Sequence, residues 1–189
     1  MKAGVRAIGI AESFRGEEST LAGAVVRADR VLDGVALGSC TVGGTDATTS
    51  IIDLFERLGR EDVRYVLIAG IAPAWYNILD LPEIQTALDR PVLAVTFEES
   101  EGLEPALRDA FEGKALETRL QRYRAQPPRE RLVVNDEPVF LRTVGIDAIE
   151  ARDVVRAFTP EGGRPEPLRI ARLIARAADR WRSDRKATD

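Results

Sequence analysis

Short apolar runs, each bounded by turn-forming residues, predict five β-strands in the first hundred residues of this chain. The runs lie at 5–12, 21–27, 30–42, 65–71 and 91–96. Asp29-Arg30 is typical of a tight turn between the second and third runs, and Gly43-Gly44 ends the third. Because these connections are short, we expect the first three strands to form an antiparallel meander.

Apolar residues at helical spacing predict three helices that alternate with the last two strands. The stripe from Ile51 to Leu58 repeats at i, i+3, i+4 and i+7, and Thr45 or Asp46 can cap its helix. Asp80 opens a second helix that has a proline in its first turn. The third helix carries Leu103, Leu107 and Phe111 on one side.

The resulting order β-β-β-α-β-α-β-α is typical of a ribonuclease H-like core, in which a meander precedes parallel strands joined by helices. We therefore predict an α/β fold with a mixed five-stranded core sheet and flanking helices at residues 1–111. Residues 112–189 are predicted as a helical and hairpin appendage of the same single domain. It contains a charged helix that ends at Pro127-Pro128, a hairpin at 132–144, a helix at 147–158 that Asp147 caps, and a last helix to about 182.

The chain of 189 residues contains no histidine and one cysteine, and this excludes several kinds of chemistry. Ser-His-Asp and Cys-His catalysis in their usual forms need an imidazole base. Zinc sites built from histidine or from several cysteines are excluded, because the chain lacks those ligands. A bound metal would need carboxylates, carbonyls and water, which favour magnesium, manganese or calcium. Cys40 is interpreted as a small buried side chain without chemistry.

Composition also bears on the cellular compartment and on the class of binding partner. No apolar run approaches the ~18 residues that span a bilayer, and we see no signal-peptide pattern. We therefore expect a cytoplasmic protein without a membrane partner, and the single cysteine fits a reducing compartment. The net charge of −4 gives the whole molecule no general attraction to nucleic acid.

Four segments, at 6–13 (RAIGIAES), 42–48 (VGGTDAT), 69–80 (AGIAPAWYNILD) and 165–175 (PEPLRIARLIA), carry a family resemblance. Together they resemble an archaeal family of unknown function, domain-of-unknown-function family ninety-nine, which is distantly similar to endonuclease V. The resemblance implies an endonuclease V-like core, whose carboxylates on the first and fourth strands hold a divalent metal. At the matching positions this chain has Ala11 and Ala69.

Two nearby acids, Glu12 and Asp46, are the candidate catalytic residues and the candidate ligands for Mg²⁺ or Mn²⁺. A solvated loop acid is the alternative interpretation of Glu12, and a helix cap is the favoured interpretation of Asp46. A two-metal site needs several acids in one place, and two carboxylates are too few. We therefore expect weakened or lost hydrolysis.

Two loops are candidate ligand sites. The glycine pair before the first helix can present backbone N–H groups to an anion, although a tight turn is the simpler interpretation. The loop after the fourth strand offers two aromatic rings and an amide, which can stack on a base or pack within the protein. The residues concerned are Gly43, Gly44 and Thr45 in the first loop, and Trp75, Tyr76 and Asn77 in the second.

Arginines spaced by 3, 4 and 4 residues share one face of the last helix and are candidate phosphate contacts. A solvated helix face is the alternative interpretation. Ile170, Ile174, Ala177 and Trp181 are predicted as the adjoining apolar face, and Arg119, Arg122, Arg124, Arg129 and Arg131 as a second basic cluster. The candidate phosphate contacts are Arg164, Arg169, Arg172, Arg176 and Arg180.

Three functions are compatible with these features. The favoured one is a protein that binds RNA, DNA or a nucleotide with little or no hydrolysis. The second is an active divalent-metal endonuclease that acts on deaminated or structured nucleic acid through Glu12 and Asp46. The third is a protein-interaction or regulatory module whose basic helix binds an acidic protein partner.

Overall fold

The chain folds around one mixed sheet with helices on both faces. In a computed structural model, which describes residues 1–186, the strands are β1 (Arg6–Phe14), β2 (Glu18–Arg27), β3 (Leu32–Thr41), β4 (Val63–Ala69), β5 (Val92–Thr96), β6 (Glu130–Val134) and β7 (Glu137–Val144). The helices are α1 (Ala47–Leu58), the single turn α2 (Pro73–Tyr76), α3 (Leu81–Leu88), α4 (Glu104–Ala110), α5 (Gly113–Arg124), α6 (Ala148–Ala157) and α7 (Glu166–Lys186).

The strand order is β3-β2-β1-β4-β5-β7-β6. The predicted antiparallel meander of β1, β2 and β3 is confirmed, and β4 pairs in parallel with both β1 and β5. The sheet has seven strands, whereas the prediction placed five strands in the core sheet and the hairpin in an appendage; the hairpin of β6 and β7 joins the sheet through β7, antiparallel to β5. Without β7, the second edge of β5 would leave a row of backbone groups unpaired.

The two faces of the sheet have separate apolar cores. Ile8 and Ile10 of β1 belong to the core that packs under α1 and α3. Ala7 and Ala11 alternate with them and face the opposite side, toward α6 and α7. This period-two alternation assigns each strand residue to one face. It therefore decides which candidate site residues can meet.

Helix α7 lies close across β1 and β2 because the strand surface beneath it consists of small residues. A Cβ atom added to Gly9 would lie 2.1 Å from the Pro167 carbonyl carbon. The buried side of α7 differs from the predicted apolar face. Trp181, predicted to belong to that face, is 63% exposed. The buried residues of α7 are Pro167, Leu168, Ala171, Ala175 and Asp179.

Two predicted helix caps are confirmed. The Asp80 carboxylate accepts a hydrogen bond from the Glu83 backbone N–H at 3.0 Å, and Asp147 accepts from the backbone of Ile149 and Glu150. Within residues 1–186, every helix is too short or too polar to cross a bilayer.

Candidate functional site

Ala11 and Ala69 lie side by side on the α7 face of the sheet. They come one step after Ile10 and Ile68, which are partners in the parallel pairing of β1 and β4. Ala11 is buried against Ala171 of α7, and Ala69 is half-buried beside it. The two positions thus present methyl groups where the resemblance implies metal-binding carboxylates.

Glu12 and Asp46 lie on the other face of the sheet. Strand β1 continues to Phe14, past the predicted end at 12, so Glu12 alternates with Ala11 and points to the α1 side. Its carboxylate accepts a hydrogen bond from the Ser19 hydroxyl at 2.7 Å. Burial raises the pKa of the Cys40 thiol to about 12, and the negative charges of Asp46 and Glu12 add to the effect. Glu12 bonds Ser19, the partner of Cys40 in the pairing of β2 and β3, and Asp46 bonds Thr41, the residue after Cys40. Both acids therefore lie near Cys40, and the sheet separates them from Ala11 and Ala69.

The Asp46 carboxylate is held by hydrogen bonds inside the protein. It accepts from the backbone N–H and the hydroxyl of Thr41 at 3.0 and 2.9 Å, and from the Asn77 amide at 2.7 Å. Burial raises the pKa of Asp46, but the hydrogen bonds from Asn77 and Thr41 outweigh it, so the pKa lies below its ordinary value. Asp46 occupies the N-cap position of α1, but its side chain makes no capping hydrogen bond.

These side chains do not fit a divalent cation at Ala11 and Ala69. A magnesium or manganese ion needs oxygen ligands, and neither alanine has one in its side chain. Among residues 1–186, no group of three or more His, Cys, Asp and Glu side chains is placed to hold a metal ion. Glu12 and Asp46 remain two acids on the opposite face, each bonded to neighbouring side chains.

The glycine turn before α1 is filled by neighbouring side chains. Asn77, fully buried, accepts a hydrogen bond from the Ala47 N–H at 3.1 Å and so occupies the start of α1 itself. The Arg119 guanidinium donates to the carbonyls of Gly43 and Gly44. The first N–H of α1 is thus taken up by an amide rather than offered to an anion.

The turn α2 presents one aromatic ring to solvent. Ala74, Trp75 and Tyr76 have positive φ angles of 49°, 54° and 61°, a left-handed conformation that is costly for residues with a Cβ. Trp75 is 49% exposed and its ring lies 5.1 Å from the ring of Phe111. The Arg119 guanidinium covers Phe111 at 3.9 Å. The predicted ligand loop therefore divides into a buried Asn77 and an exposed Trp75.

The arginines of α7 form an open basic face. Arg172, Arg176 and Arg180 are exposed, with no carboxylate within ion-pairing distance in residues 1–186. Arg169 is paired with Glu166 at 2.6 Å. We call the exposed set of Arg169, Arg172, Arg176 and Arg180 the α7 arginine face.

The second predicted basic cluster is mostly used within the fold. Arg119 is buried, and Arg122 donates to the carbonyl of Thr45 at 3.0 Å. Arg124 forms a bidentate pair with Glu104, at 2.8 Å in both contacts. These guanidiniums anchor α5 to its neighbours, so the interpretation of a second free basic surface is wrong for them.

A cavity of about 420 Å³ opens where β4 and β5 end, on the α7 side of the sheet. Ala69 and Gly70 contribute to its lining, and five arginines surround it. Sequence reasoning missed this cavity, although the parallel pairing of adjacent strands was a usable signal, since ligands bind where such strands end. The arginines come from four separate segments, and they are Arg129, Arg142, Arg164, Arg169 and Arg172.

The fold defined by this sheet and site is a mixed α/β fold similar to that of endonuclease V. Human ENDOV superimposes with a TM-score of 0.63 at 14% identity, covering 95% of this chain and 86% of that one. Ciona intestinalis endonuclease V, in complex with a 24-mer DNA containing an inosine, gives a TM-score of 0.60 at 11% identity, covering 92% and 85%. A protein of unknown function from Archaeoglobus fulgidus gives 0.82 at 25% identity, covering 92% and 98%.

The chain belongs to the Endonuclease dU family, whose model matches residues 3–179. Its relatives include a UPF0215 protein of Pyrobaculum calidifontis, 34% identical over 180 residues, which covers 93% of this chain and 98% of the relative. A UPF0215 protein of Thermococcus kodakarensis is 32% identical over 172 residues, covering 90% and 86%. The resemblance to an archaeal, distantly endonuclease V-like family is thereby confirmed.

Proposed function

We propose that this protein binds single-stranded nucleic acid through the α7 arginine face and has lost metal-dependent hydrolysis. The observation that carries the proposal is the pairing of two features on one side of the sheet. Ala11 and Ala69 supply methyl groups at the strand positions expected to hold a metal, while the helix above them exposes unpaired guanidiniums. We further propose a ribonuclease H-like arrangement for the meander and parallel strands.

The α7 arginine face is suited to a phosphate backbone. Arg172, Arg176 and Arg180 follow one another at four-residue steps, which separates them by about 6 Å along the helix axis. Exposed guanidiniums without carboxylate partners lose no internal ion pair when they bind phosphate. Trp75, exposed on the turn α2 that follows β4, is a second candidate contact through base stacking.

The second candidate is an active endonuclease, and the name of the family favours it. In that case the chain cuts a uracil-containing strand and uses Glu12 and Asp46 as ligands for Mg²⁺ or Mn²⁺. The burial of Ala11 and the hydrogen bonds that occupy both acids argue against this candidate.

Fluorescence anisotropy with internally labelled 12-mers of DNA and RNA tests the binding proposal. Between 50 and 300 mM salt, log K should fall with log salt at a slope of about −2 to −3, as expected for three or four neutralised phosphates. Arg176→Met/Arg180→Met should flatten the slope by about 1 to 1.5. The charge-matched control Arg131→Met/Arg156→Met should leave it unchanged, because Arg131 lies on β6 and Arg156 on α6, outside the α7 arginine face. An affinity that is indifferent to salt contradicts the proposal.

Incubation of uracil- and inosine-containing strands with Mg²⁺ or Mn²⁺ separates the two candidates. We expect no nicked product from the purified protein. Nicking that disappears in both Glu12→Gln and Asp46→Asn would establish the endonuclease instead.

A further inference from the structure

The cavity at the ends of β4 and β5 has the dimensions of a small-molecule site. Its volume of about 420 Å³ lies within the range of roughly 300–1,000 Å³ that is typical of ligand pockets. Ile71, Val95 and Leu103 give it an apolar portion, and Phe97 and Tyr123 add aromatic rings. Such a lining accommodates a body the size of a nucleoside.

The charge of the cavity is strongly unbalanced. Glu98 is the single acidic residue of the lining, and Arg169 is already paired with Glu166 outside it. The other four arginines of the lining have no carboxylate within ion-pairing distance in the part of the chain that the structure describes. They are Arg129, Arg142, Arg164 and Arg172.

Three of these guanidiniums are held in place by the fold before any ligand binds. Arg129 donates to the Thr96 hydroxyl at 3.0 Å, and Arg164 lies over the Phe97 ring at 4.3 Å. Arg142 lies over the ring of Tyr123 at 5.5 Å. Burial lowers the pKa of Arg129, and the positive charge of Arg142 lowers it further. Like charges are thus kept together with few opposing charges, Glu98 in the lining and Glu99 near Arg129, an arrangement that a bound anion relieves.

We propose that this cavity binds a phosphomonoester dianion carried on a nucleoside-sized body. A monoester carries up to two negative charges at neutral pH and presents three acceptor oxygens, whereas a phosphodiester within a strand carries one charge. Planar guanidiniums match phosphate oxygens in bidentate geometry. The same chemistry is offered by a free nucleoside monophosphate and by the phosphorylated end of a strand. If the ligand is a strand end, the inference rests on the proposed function; if it is a free nucleotide, the inference is independent of it.

Calorimetric titration with AMP and UMP, each compared with its own nucleoside, tests the phosphate requirement. We expect saturable binding of one monophosphate per chain, at least 100-fold tighter than the nucleoside, and competition by inorganic phosphate. Equal affinity for nucleoside and monophosphate overturns the inference. The double variant Arg164→Met/Arg172→Met should weaken binding at least tenfold, while Arg131→Met/Arg156→Met, which removes the same charge elsewhere, should stay within twofold.

A substitution on the cavity wall tests charge without removing an arginine. Ala69 lines the cavity, so Ala69→Asp introduces a negative charge beside the guanidiniums, and Ala69→Asn introduces nearly the same volume without charge. We expect Ala69→Asp to weaken AMP binding at least tenfold more than Ala69→Asn does. Thermal melting of both variants reports whether they are folded. Equal loss in two folded variants contradicts an electrostatic site.

Decamers with a 5′-phosphate, a 3′-phosphate or hydroxyl ends distinguish the two sources of the ligand. If a strand end is the ligand, one phosphorylated decamer binds at least tenfold tighter, and Arg164→Met/Arg172→Met abolishes that preference. If the free nucleotide is the ligand, AMP binds as above and the three decamers are equivalent. Salt-dependent binding of decamers, with no preference for AMP over adenosine, leaves the proposed function standing and refutes the cavity inference. AMP binding without decamer binding supports the cavity inference and refutes the proposed function.

Discussion

The amide of Asn77 donates a hydrogen bond of 2.7 Å to the carboxylate of Asp46. The sequence singled out these residues separately, one as a ligand-contacting amide and the other as a metal ligand. In the fold they hold each other: Asn77 is completely buried, and it also bonds the Thr41 carbonyl at 2.9 Å and the Ala47 N–H at 3.1 Å. This unit fastens the loop after β4 to the end of β3 and the start of α1.

Asn77→Asp should destabilise the protein in a pH-dependent way. The change replaces a donor at 2.7 Å from Asp46 by a second carboxylate, so a hydrogen bond becomes a repulsion. We expect a loss of about 3 kcal/mol in the free energy of unfolding at pH 7, measured by urea denaturation. The loss should shrink near pH 4, where one carboxylate takes up a proton. Asp46→Asn/Asn77→Asp, which restores one donor and one acceptor, should recover much of the stability; no recovery would count against the pairing.

Asp46→Asn alone should reduce the sensitivity of the fold to acid. The pKa of Asp46 is lower in the folded chain than its ordinary value of 3.8, so its ionised form stabilises the folded state above about pH 4. That contribution is lost as pH falls through the folded pKa. The variant should therefore be less stable at pH 7, with the difference from the parent protein narrowing toward pH 3. If the free energies of unfolding of the variant and the parent protein differed by the same amount at every pH, the lowered pKa of Asp46 would be contradicted.

Gly9→Ala should disrupt the docking of α7. The added Cβ would lie 2.1 Å from the Pro167 carbonyl carbon and 2.5 Å from the Leu168 nitrogen, both backbone atoms that cannot rotate away. We expect a loss of about 3 kcal/mol or more, at the upper end of overpacking effects. Gly16→Ala is the matched control, because a Cβ there meets no atom within 4 Å. Similar melting temperatures for both variants would show that the helix shifts freely.

Cys40 should resist alkylation in the folded protein. It is 3% exposed, and burial together with nearby carboxylates raises its pKa to about 12, so the thiolate is scarce at pH 8. Iodoacetamide should modify it slowly in buffer and rapidly in guanidinium chloride. The chain has one cysteine, so the mass change reports this site alone. Rapid modification under native conditions would show that β3 opens.

Ala11→Asp should cost more stability than Ala69→Asp. Ala11 is 3% exposed beneath Ala171, where an ionised carboxylate loses its water, whereas Ala69 borders the arginine-lined cavity. We expect a loss of about 3 kcal/mol or more for Ala11→Asp and less than about 1 kcal/mol for Ala69→Asp. Comparable losses in denaturant titrations would mean that water reaches the two positions equally.

Several features were predictable because local chemistry determines them. The meander followed from short turns, and the Asp80 and Asp147 caps followed from residue type and position. The hairpin at 132–144 was predicted as a hairpin, but its addition to β5 was not. Pairing between β5 and β7 joins segments about fifty residues apart, and no local pattern specifies which edge a hairpin chooses.

The sequence by itself determined the element types, the methyl groups of Ala11 and Ala69, and the 3-4-4 spacing of the α7 arginines. The tertiary structure alone decided that Glu12 faces away from Ala11, because a strand extended to Phe14 alternates its side chains between two cores. It also gathered Arg129, Arg142 and Arg172 around one cavity. The proximity of these arginines depends on the packing of distant segments, and residue spacing along the chain does not predict it.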